Sequence, residues 1–231
     1  MQNLLIVAAT KIELISLFPE IPKKDLQLGE IYTIKTNNKT LSCIVCGIGP
    51  LNAAIYTQKA ILSNEIHGVI NIGIAGAFDI NKIPIGSITI SNKEIWPEFG
   101  LKTKDQIDPR GLNLGLIKLK NGDIIYNEID ISYKKNMEKM GLSLNHNLYT
   151  TVSLTVAGVS GDLVVTKRLK DQFNPDIENM EGFSVAYVSL INNLPFIEIR
   201  SISNQVGERG LQRWHMKKAL SSLTKVRSIF L

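Results

Sequence analysis

Two acidic side chains stand at predicted helix starts, where a carboxylate is well placed to meet a ligand. Glu13 follows the apolar run 4–9 and lies on the first turn of the next segment, and Glu181 opens a later predicted helix. Such a carboxylate can simply offset the positive end of the helix dipole. The alternative for Glu181 is diol binding, in which its oxygens accept two hydroxyls while the thioether of Met180 packs on a sugar face.

A polar cluster follows the apolar strand predicted at 195–199. It contains Arg200, Ser201, Ser203 and Asn204. Open α/β sheets hold ligands at the carboxyl ends of their strands, so the cluster is a candidate binding edge. Asn204 as a plain turn or helix-cap residue is the alternative.

The segment 73–76, Gly-Ile-Ala-Gly, follows the apolar run 68–73. Its glycines leave the backbone bare, so that amide groups can approach a ligand at the end of a strand. A dinucleotide fingerprint would open a helix at this point, and residues 79–84 do not continue as one. The segment is therefore either a ligand-binding loop or a tight structural turn.

Cys43 and Cys46 have the spacing of a metal or redox pair but fall within the apolar run 41–46. In a strand, residues three apart point to opposite faces, so the two thiols cannot easily share a metal or form a disulfide. The histidines lie elsewhere, at His67, His146 and His215. We expect buried strand thiols and no metal site.

The elements that must position these residues alternate between two types. Apolar, β-branched runs occur at 4–9, 41–46, 68–73, 86–91, 150–157 and 195–202, and stretches with helical spacing at 51–62, 166–173 and 181–192. The pattern predicts an α/β fold with three layers, α/β/α, around a mixed and mainly parallel central sheet. We expect a single domain over 1–231.

Two less regular parts complete this picture. The segments 29–36 and 39–46 flank Asn37-Asn38, which predicts a hairpin and an antiparallel portion of the sheet. Residues 94–147 contain polar turns at 105–110 and 120–123, and predict excursion loops with one helix.

Composition excludes several classes of protein. The chain has 231 residues, of which 44% are hydrophobic and 20% charged, enough to bury a large core without disulfides. No apolar run approaches the roughly 18 residues of a membrane span, and the start lacks the basic stretch of a signal peptide. We expect a cytoplasmic protein.

The net charge of +5 is concentrated at one end of the chain. Residues 201–231 contain one acid, Glu208, and six basic residues, Arg209, Arg213, Lys217, Lys218, Lys225 and Arg227. Apolar residues recur among them every three or four positions, from Trp214 to Phe230, which predicts an amphipathic helix docked on the core. The basic residues then form a solvated helix face, and we expect no nucleic-acid partner.

In their order along the chain, these motifs resemble the purine nucleoside phosphorylase and nucleosidase superfamily, in its bacterial nucleosidase branch. That family shows a first strand leading to a catalytic Glu, followed by five short motifs. They are a Gly-Ile-Gly turn (here 47–49), a G-x-A-G segment (73–76), a Ser-Gly-Asp turn (160–162), a Met-Glu pair (180–181) and an R-x-I-S-[D/N] strand end (200–204).

The resemblance implies a role for each position. Glu13 would be the general base, Glu181 would hold the ribose hydroxyls, and Asn204 would stabilise the departing purine. Further substrate contacts would come from Ile74, Ala75, Gly76 and Met180, and from the backbone near Val164 and Val165. The partners would be a small nucleoside and other copies of the chain, in a homodimer or higher homo-oligomer, without a cofactor.

The aromatic pair Trp96 and Phe99 stands beside a polar turn. We predict that Trp96 or Phe99 lies over an aromatic substrate, with core packing as the alternative.

Two departures narrow the resemblance. Methylthioadenosine and S-adenosylhomocysteine nucleosidases have Asp where this chain has Asn204, and a serine where it has Ile74. The combination looks most like futalosine hydrolases, which release hypoxanthine from a nucleoside-like intermediate of the alternative menaquinone pathway. An amide suits a 6-oxopurine, because it can donate to O6 and accept from N7–H, whereas a carboxylate would repel O6.

Three other functions are weighed against this one. The first is hydrolysis of methylthioadenosine-type substrates, and the second is phosphorolysis. The third is a purine-binding protein without catalysis, which would need no base. Phosphate is usually bound by Arg or Lys. The first arginine of this chain is Arg110, so its amino-terminal half has none of the arginines with which phosphorylases of this superfamily bind phosphate. Water is therefore the expected nucleophile.

Overall fold

The apolar runs form the strands of one mixed, nine-stranded sheet, with two small two-stranded sheets beside it. We describe a computed structural model, which covers residues 2–104, 106–143, 148–208 and 214–230. In chain order the strands are β1 (Gln2–Ala8), β2 (Ile31–Lys35), β3 (Lys39–Val45), β4 (Gly68–Ala77), β5 (Ile88–Ile95), β6 (Leu101–Lys102), β7 (Ile107–Asp108), β8 (Ile117–Lys118), β9 (Ile124–Ile125), β10 (Glu128–Asp130), β11 (Tyr149–Thr155), β12 (Ile177–Asn179) and β13 (Phe196–Gln205).

The central sheet is parallel at its centre and antiparallel in several flanking pairs. β1 lies between β3 and β4 and is parallel to both. β2 pairs antiparallel with β3, which confirms the predicted hairpin. β4, β13, β5, β11 and β12 pair in a closed circuit, a closure that the alternation of strands and helices did not predict.

Helices cover both faces of this sheet, as the sequence predicts. They are α1 (Lys11–Leu17), α2 (Pro50–Ser63), α3 (Tyr133–Lys139), α4 (Leu163–Phe173), α5 (Gly182–Ile191) and α6 (Met216–Leu223), with 3-10 turns at Lys23–Asp25 and Thr224–Ile229. Leu4 and Ile6 of β1 pack toward α1 and α3, whereas Leu5 and Val7 pack toward α2 and α5. This alternation buries β1 on both faces and confirms the three-layer α/β/α architecture.

Two strands run further than the sequence indicated. β4 continues to Ala77, so the segment 73–76 lies inside a strand and is not a loop after it. β13 continues to Gln205, so Arg200 and Asn204 belong to the strand. The reason is that the two strands pair in parallel along nearly their whole length, with a bulge between Ile202 and Asn204.

The cysteines lie where the sequence predicts, whereas the C-terminal helix is shorter than predicted. Cys43 and Cys46 are both buried, in hydrophobic clusters on opposite faces of the sheet. Burial raises the pKa of the Cys46 thiol to about 12. Leu223 and Phe230 pack into the core, whereas Trp214 precedes α6 rather than lying within it.

The irregular stretch 94–147 contains the end of β5, the short strands β6 to β10, and α3. His146, Arg209 and Arg213 lie outside the described residues, as do residue 105 of the turn predicted at 105–110 and residues 209–213 of the basic C-terminal segment. Within the described ranges, none of the helices combines the length and the apolar character that a membrane crossing requires.

Candidate active site

A cavity of about 250 Å³ lies where β1, β4 and β13 end and where α1 begins. Most of the residues predicted from the sequence line it: Glu13, Ile74, Ala75, Gly76, Met180, Glu181 and Asn204. They come from parts of the chain nearly 200 positions apart. The sheet therefore gathers the motifs into one site.

Glu13 is fixed by a capping box at the start of α1. Thr10 donates to Glu13 Oε2 from its hydroxyl at 2.7 Å and from its backbone N at 2.9 Å. The Ile74 N–H donates to Glu13 Oε1 at 3.1 Å, which links α1 to β4. Burial raises the pKa of Glu13, and the nearby Glu181 carboxylate adds to the effect. A carboxyl with these properties is suited to exchange a proton with water.

Glu181 is the residue before α5, which begins at Gly182, one position later than the helix start expected from the sequence. Its carboxylate makes no capping hydrogen bond to that helix. Instead, Gly49 N donates to Glu181 Oε1 at 3.1 Å, and Arg200 Nη1 donates to Glu181 Oε2 at 3.3 Å. Each oxygen can accept a further hydrogen bond, so the carboxylate can receive the hydroxyls of a sugar.

Arg200 is the buried counter-ion of the site. It is 1% exposed, and no other Lys, Arg or His among the described residues is buried. Its Nε donates to Glu198 Oε1 at 2.6 Å, and its Nη2 donates to Asn71 Oδ1. Although burial opposes the charge, the Glu198 and Glu181 carboxylates raise the pKa of Arg200, which remains a cation. The sequence indicated a polar strand end here, but not this role.

The glycines of the segment 73–76 make room for site side chains. A Cβ on Gly73 would stand 2.5 Å from Arg200 Nη1 and 2.8 Å from Glu13 Oε1. A Cβ on Gly76 would stand 3.1 Å from Asn204 Nδ2. The two glycines therefore allow these side chains to cross the strand, a role that the sequence did not predict.

Asn204 presents a side-chain amide to the cavity. The Ser203 hydroxyl donates to Asn204 Oδ1 at 2.8 Å, and Asn204 Nδ2 donates to the Gln205 carbonyl at 3.0 Å. These contacts fix the plane of the amide. Neither is a helix cap, because β13 continues through Asn204.

Glu178 is a cavity residue that the sequence reasoning missed. Ser160 donates to its carboxylate twice, from N at 2.9 Å and from Oγ at 2.5 Å. The signal was available, since Glu178 stands two residues before Met180, and side chains two apart in extended chain point to the same side. Through these two hydrogen bonds, Glu178 connects the Ser-Gly-Asp turn to the cavity wall.

Val164 and Val165 do not line this cavity. Their backbone N–H groups donate to Asp162 Oδ1, at 2.8 and 2.9 Å. Asp162 is the N-cap of α4, so the helix begins at Leu163, three residues earlier than predicted, and engages the two amides that were expected to meet the substrate. The Val164 side chain is 80% exposed.

Trp96 and Phe99 are also absent from the cavity wall. The Trp96 ring packs against Phe99 and Phe183, with centroids 5.8 and 5.9 Å apart. Phe183 belongs to the buried cluster beneath α5. The structure therefore favours core packing, the alternative weighed for this pair.

An apolar rim encloses the open side of the cavity. It consists of Ile12, Ile48, Trp214, Met216 and Leu220. Trp214 and Ile48 are exposed, with 38% and 59% of their surfaces accessible. Exposed apolar side chains around a polar floor are typical of a site for a ligand with an aromatic or aliphatic part.

The described residues contain no cluster of three or more His, Cys, Asp or Glu side chains that could hold a metal ion. The described cavity residues that can take part in chemistry include the carboxylates and the amide described above. One buried carboxyl can act on water, another can hold hydroxyls, and an amide can face a heterocycle.

Comparison with known sequences gives a consistent result. The sequence profile of the Phosphorylase superfamily matches residues 5–230. A 5'-methylthioadenosine/S-adenosylhomocysteine nucleosidase from Desulfotalea psychrophila is 30% identical over 88% of this chain and 84% of its own length. A futalosine hydrolase from Streptomyces coelicolor is 27% identical over 78% of this chain and 74% of its own length.

Solved structures show the same fold. A mutant futalosine hydrolase from Helicobacter pylori is 18% identical, with a TM-score of 0.75 over 100% of this chain and 99% of its own. A mutant of the nucleosidase for methylthioadenosine and S-adenosylhomocysteine from the same organism, solved with 5'-methylthioadenosine in its active site, is 19% identical. Its TM-score is 0.78, over 100% of this chain and 98% of its own.

Because the side chains of Arg200 and Glu13 lie against Gly73, a methyl group added at this position should destabilise the fold. Gly73→Ala would push the new Cβ against Arg200 and Glu13, so we expect the free energy of unfolding to fall by about 1–3 kcal/mol. Gly158→Ala is the matched control, because its Cβ would meet nothing within 4 Å. Urea denaturation of both variants tests this, and equal midpoints would contradict it.

Proposed function

We propose that this chain, which belongs to the phosphorylase superfamily, hydrolyses the N-glycosidic bond of futalosine and releases hypoxanthine. The family is given by the match over residues 5–230, and the relatives make the chain a purine nucleosidase. The choice of substrate within that class is our proposal. The observation that carries it is the amide of Asn204, which lines the same cavity as Glu13 and Glu181.

The argument from Asn204 concerns hydrogen-bond matching. Hypoxanthine carries a carbonyl at its 6-position, and adenine carries an amino group there. An amide can donate to O6 and accept from N7–H at the same time, whereas a carboxylate can only accept. A buried polar group left without a partner costs about 1–3 kcal/mol, which is enough to discriminate between the two bases.

Water as the nucleophile is supported by the charges at the cavity wall. None of the described residues that line it is Lys or Arg. Arg200 lies beneath the cavity and is already engaged by Glu198, Glu181 and Asn71. A phosphate ion would need cations aimed at it, so hydrolysis is favoured over phosphorolysis.

In the proposed mechanism, Glu13 takes a proton from water as the oxygen attacks the anomeric carbon. Positive charge develops on the sugar as the bond to the purine breaks. Glu181 receives the ribose hydroxyls and stabilises that charge. The purine leaves as its anion and takes a proton from solvent water at N7, and Asn204 then donates to O6 and accepts from N7–H. A protein that only bound purines would not need the Glu13 carboxyl.

Methylthioadenosine hydrolysis is the second candidate function. It is favoured by the Desulfotalea psychrophila relative, which is 30% identical to this chain, against 27% for the Streptomyces coelicolor futalosine hydrolase. The two candidates use the same carboxylates and differ at the base and at the 5′ end of the sugar. Their products, adenine and hypoxanthine, are readily told apart.

A homodimer or higher homo-oligomer remains part of the proposal. Leu51, Ile55 and Leu62 on α2 are each more than half exposed, and Ile191 at the end of α5 is 40% exposed. Apolar side chains gathered on neighbouring helices are typical of an interface between subunits.

The test of this function is chromatography of the products formed from futalosine, inosine and methylthioadenosine, with and without phosphate. We expect hypoxanthine from futalosine at a rate independent of phosphate, because water supplies the oxygen. Adenine from methylthioadenosine as the main product would replace the proposal with the second candidate. A requirement for phosphate would overturn hydrolysis.

Glu13→Gln should lower kcat by about 10²–10⁴-fold, the range typical for loss of a general base. The fold should persist, because Gln also serves in a capping box. In the parent enzyme the carboxylate is the active form, so kcat/KM should rise with pH through the raised pKa of Glu13. Glu65→Gln, at a side chain 91% exposed, is the control. Near-normal turnover by Glu13→Gln would remove Glu13 from the mechanism.

Asn204→Asp should shift the preference from hypoxanthine toward adenine nucleosides. The carboxylate repels O6 but accepts from the adenine amino group, so the ratio of kcat/KM values should move by about tenfold or more. The exposed Asn174 gives the matched control, Asn174→Asp. Competition between inosine and methylthioadenosine measures the ratio, and an unchanged ratio would show that Asn204 does not read the base.

A further inference from the structure

Two glutamates that the mechanism does not use lie directly beneath the site. Glu94 on β5 and Glu198 on β13 are both 0% exposed. A Cβ added to Gly182, at the start of α5, would stand 2.3 Å from Glu94 Oε1 and 2.5 Å from Glu198 Oε2. The two carboxyl groups therefore meet under one glycine, with no space between them and the helix.

The charges around this pair do not balance if every group is ionised. The buried glutamates among the described residues are Glu13, Glu94, Glu178, Glu181 and Glu198, and the buried cation is Arg200. An uncompensated buried carboxylate is costly, and such a group takes up a proton instead. At least one of these carboxyls must therefore be neutral.

Within the pair, the hydrogen bonds indicate that Glu94 and not Glu198 is the neutral member. Arg200 Nε donates to Glu198 Oε1 at 2.6 Å, which favours a charged Glu198. Glu94 contacts no cation among the described residues; it accepts from Thr155 Oγ1 at 2.7 Å and from Asn179 Nδ2 at 2.8 Å. Burial and the Glu198 carboxylate raise the pKa of Glu94 well above its usual range.

One acceptor in the pair lacks a partner. Glu198 Oε2 is buried and receives no hydrogen bond from the described residues. Asn179 Nδ2, at 3.0 Å, and Arg200 both donate to the other oxygen, Oε1. A proton on Glu94 would supply the missing donor.

We propose that Glu94 is a protonated positioning residue, whose hydrogen bond to Glu198 fixes the carboxylate that in turn holds Arg200 against Glu181. The groups facing the pair are Thr155 from β11, Asn179 from β12 and Arg200 from β13. Arg200 is the charged member of that set. The link to sugar binding rests on the proposed role of Glu181, whereas the proton does not depend on it.

The proton is tested directly by infrared spectroscopy of the whole protein at neutral pH. A buried carboxylic acid gives a carbonyl band separate from those of carboxylates and amides. We expect Glu94→Gln to remove such a band and the exposed control, Glu65→Gln, to leave it in place. A spectrum of Glu94→Gln that matches the parent protein in this region would overturn the proposal.

Kinetics with a nucleoside substrate test the positioning role. Glu94→Ala removes the donor, so KM should rise about tenfold, the equivalent of one buried hydrogen bond, with a smaller change in kcat. Glu94→Gln should restore KM to within about threefold of the parent value, because an amide also donates while neutral. If Glu94→Gln fails to fold, or is as impaired as Glu94→Ala, the proposal is wrong.

The two readouts separate this proposal from the proposed function. If no nucleoside is hydrolysed by the parent enzyme but Glu94→Gln still loses the band, the function is wrong and the protonated pair stands. If nucleosides are hydrolysed but Glu94→Gln leaves the band in place, the protonated pair is wrong and the proposed function stands.

Discussion

The buried charge of Arg200 is the interaction on which the rest of the site depends. A guanidinium without solvent is stable only when its donors are paired with anions and acceptors. Here Glu198, Glu181 and Asn71 fill that role. Because Arg200 is held, Glu181 is held, and one side of the cavity has a fixed carboxylate. The other side is fixed by the capping box of Glu13, so both acids have set positions before any ligand arrives.

The closed circuit of strands makes this arrangement possible. β4 pairs with β13 in parallel, and β12 pairs with β4 from its other side, so their side chains converge. Because the strands converge, there is little space between their side chains and the neighbouring backbone. Glycines at the contact points leave that space free. Gly73 lies under Arg200 and Glu13, and Gly182 lies over Glu94 and Glu198. Gly73, which the sequence placed in a ligand-binding loop or a tight turn, is in the fold a place where charged side chains cross.

The sequence predicted the layers of the fold and the carboxylates of the site because both are local signals. Glu13 and Glu181 stand at junctions that an apolar run and a helical pattern reveal. The role of Arg200 was not predictable in this way, because it arises from the pairing of strands far apart in sequence. Val164 and Val165 were misjudged because the neighbouring Asp162 caps α4 with their amides. For Trp96 the sequence left substrate contact and core packing open, because its packing partner Phe183 lies far away in the chain.

The central claim is that Asn204 and Glu181 hold the two halves of a 6-oxopurine nucleoside in one cavity. A crystal structure of the protein with hypoxanthine and a ribose analogue tests it most directly. The account predicts the Asn204 amide within hydrogen-bond distance of O6 and N7, and the sugar hydroxyls on the Glu181 carboxylate. A base bound elsewhere in the cavity, or a sugar that does not reach Glu181, would contradict it.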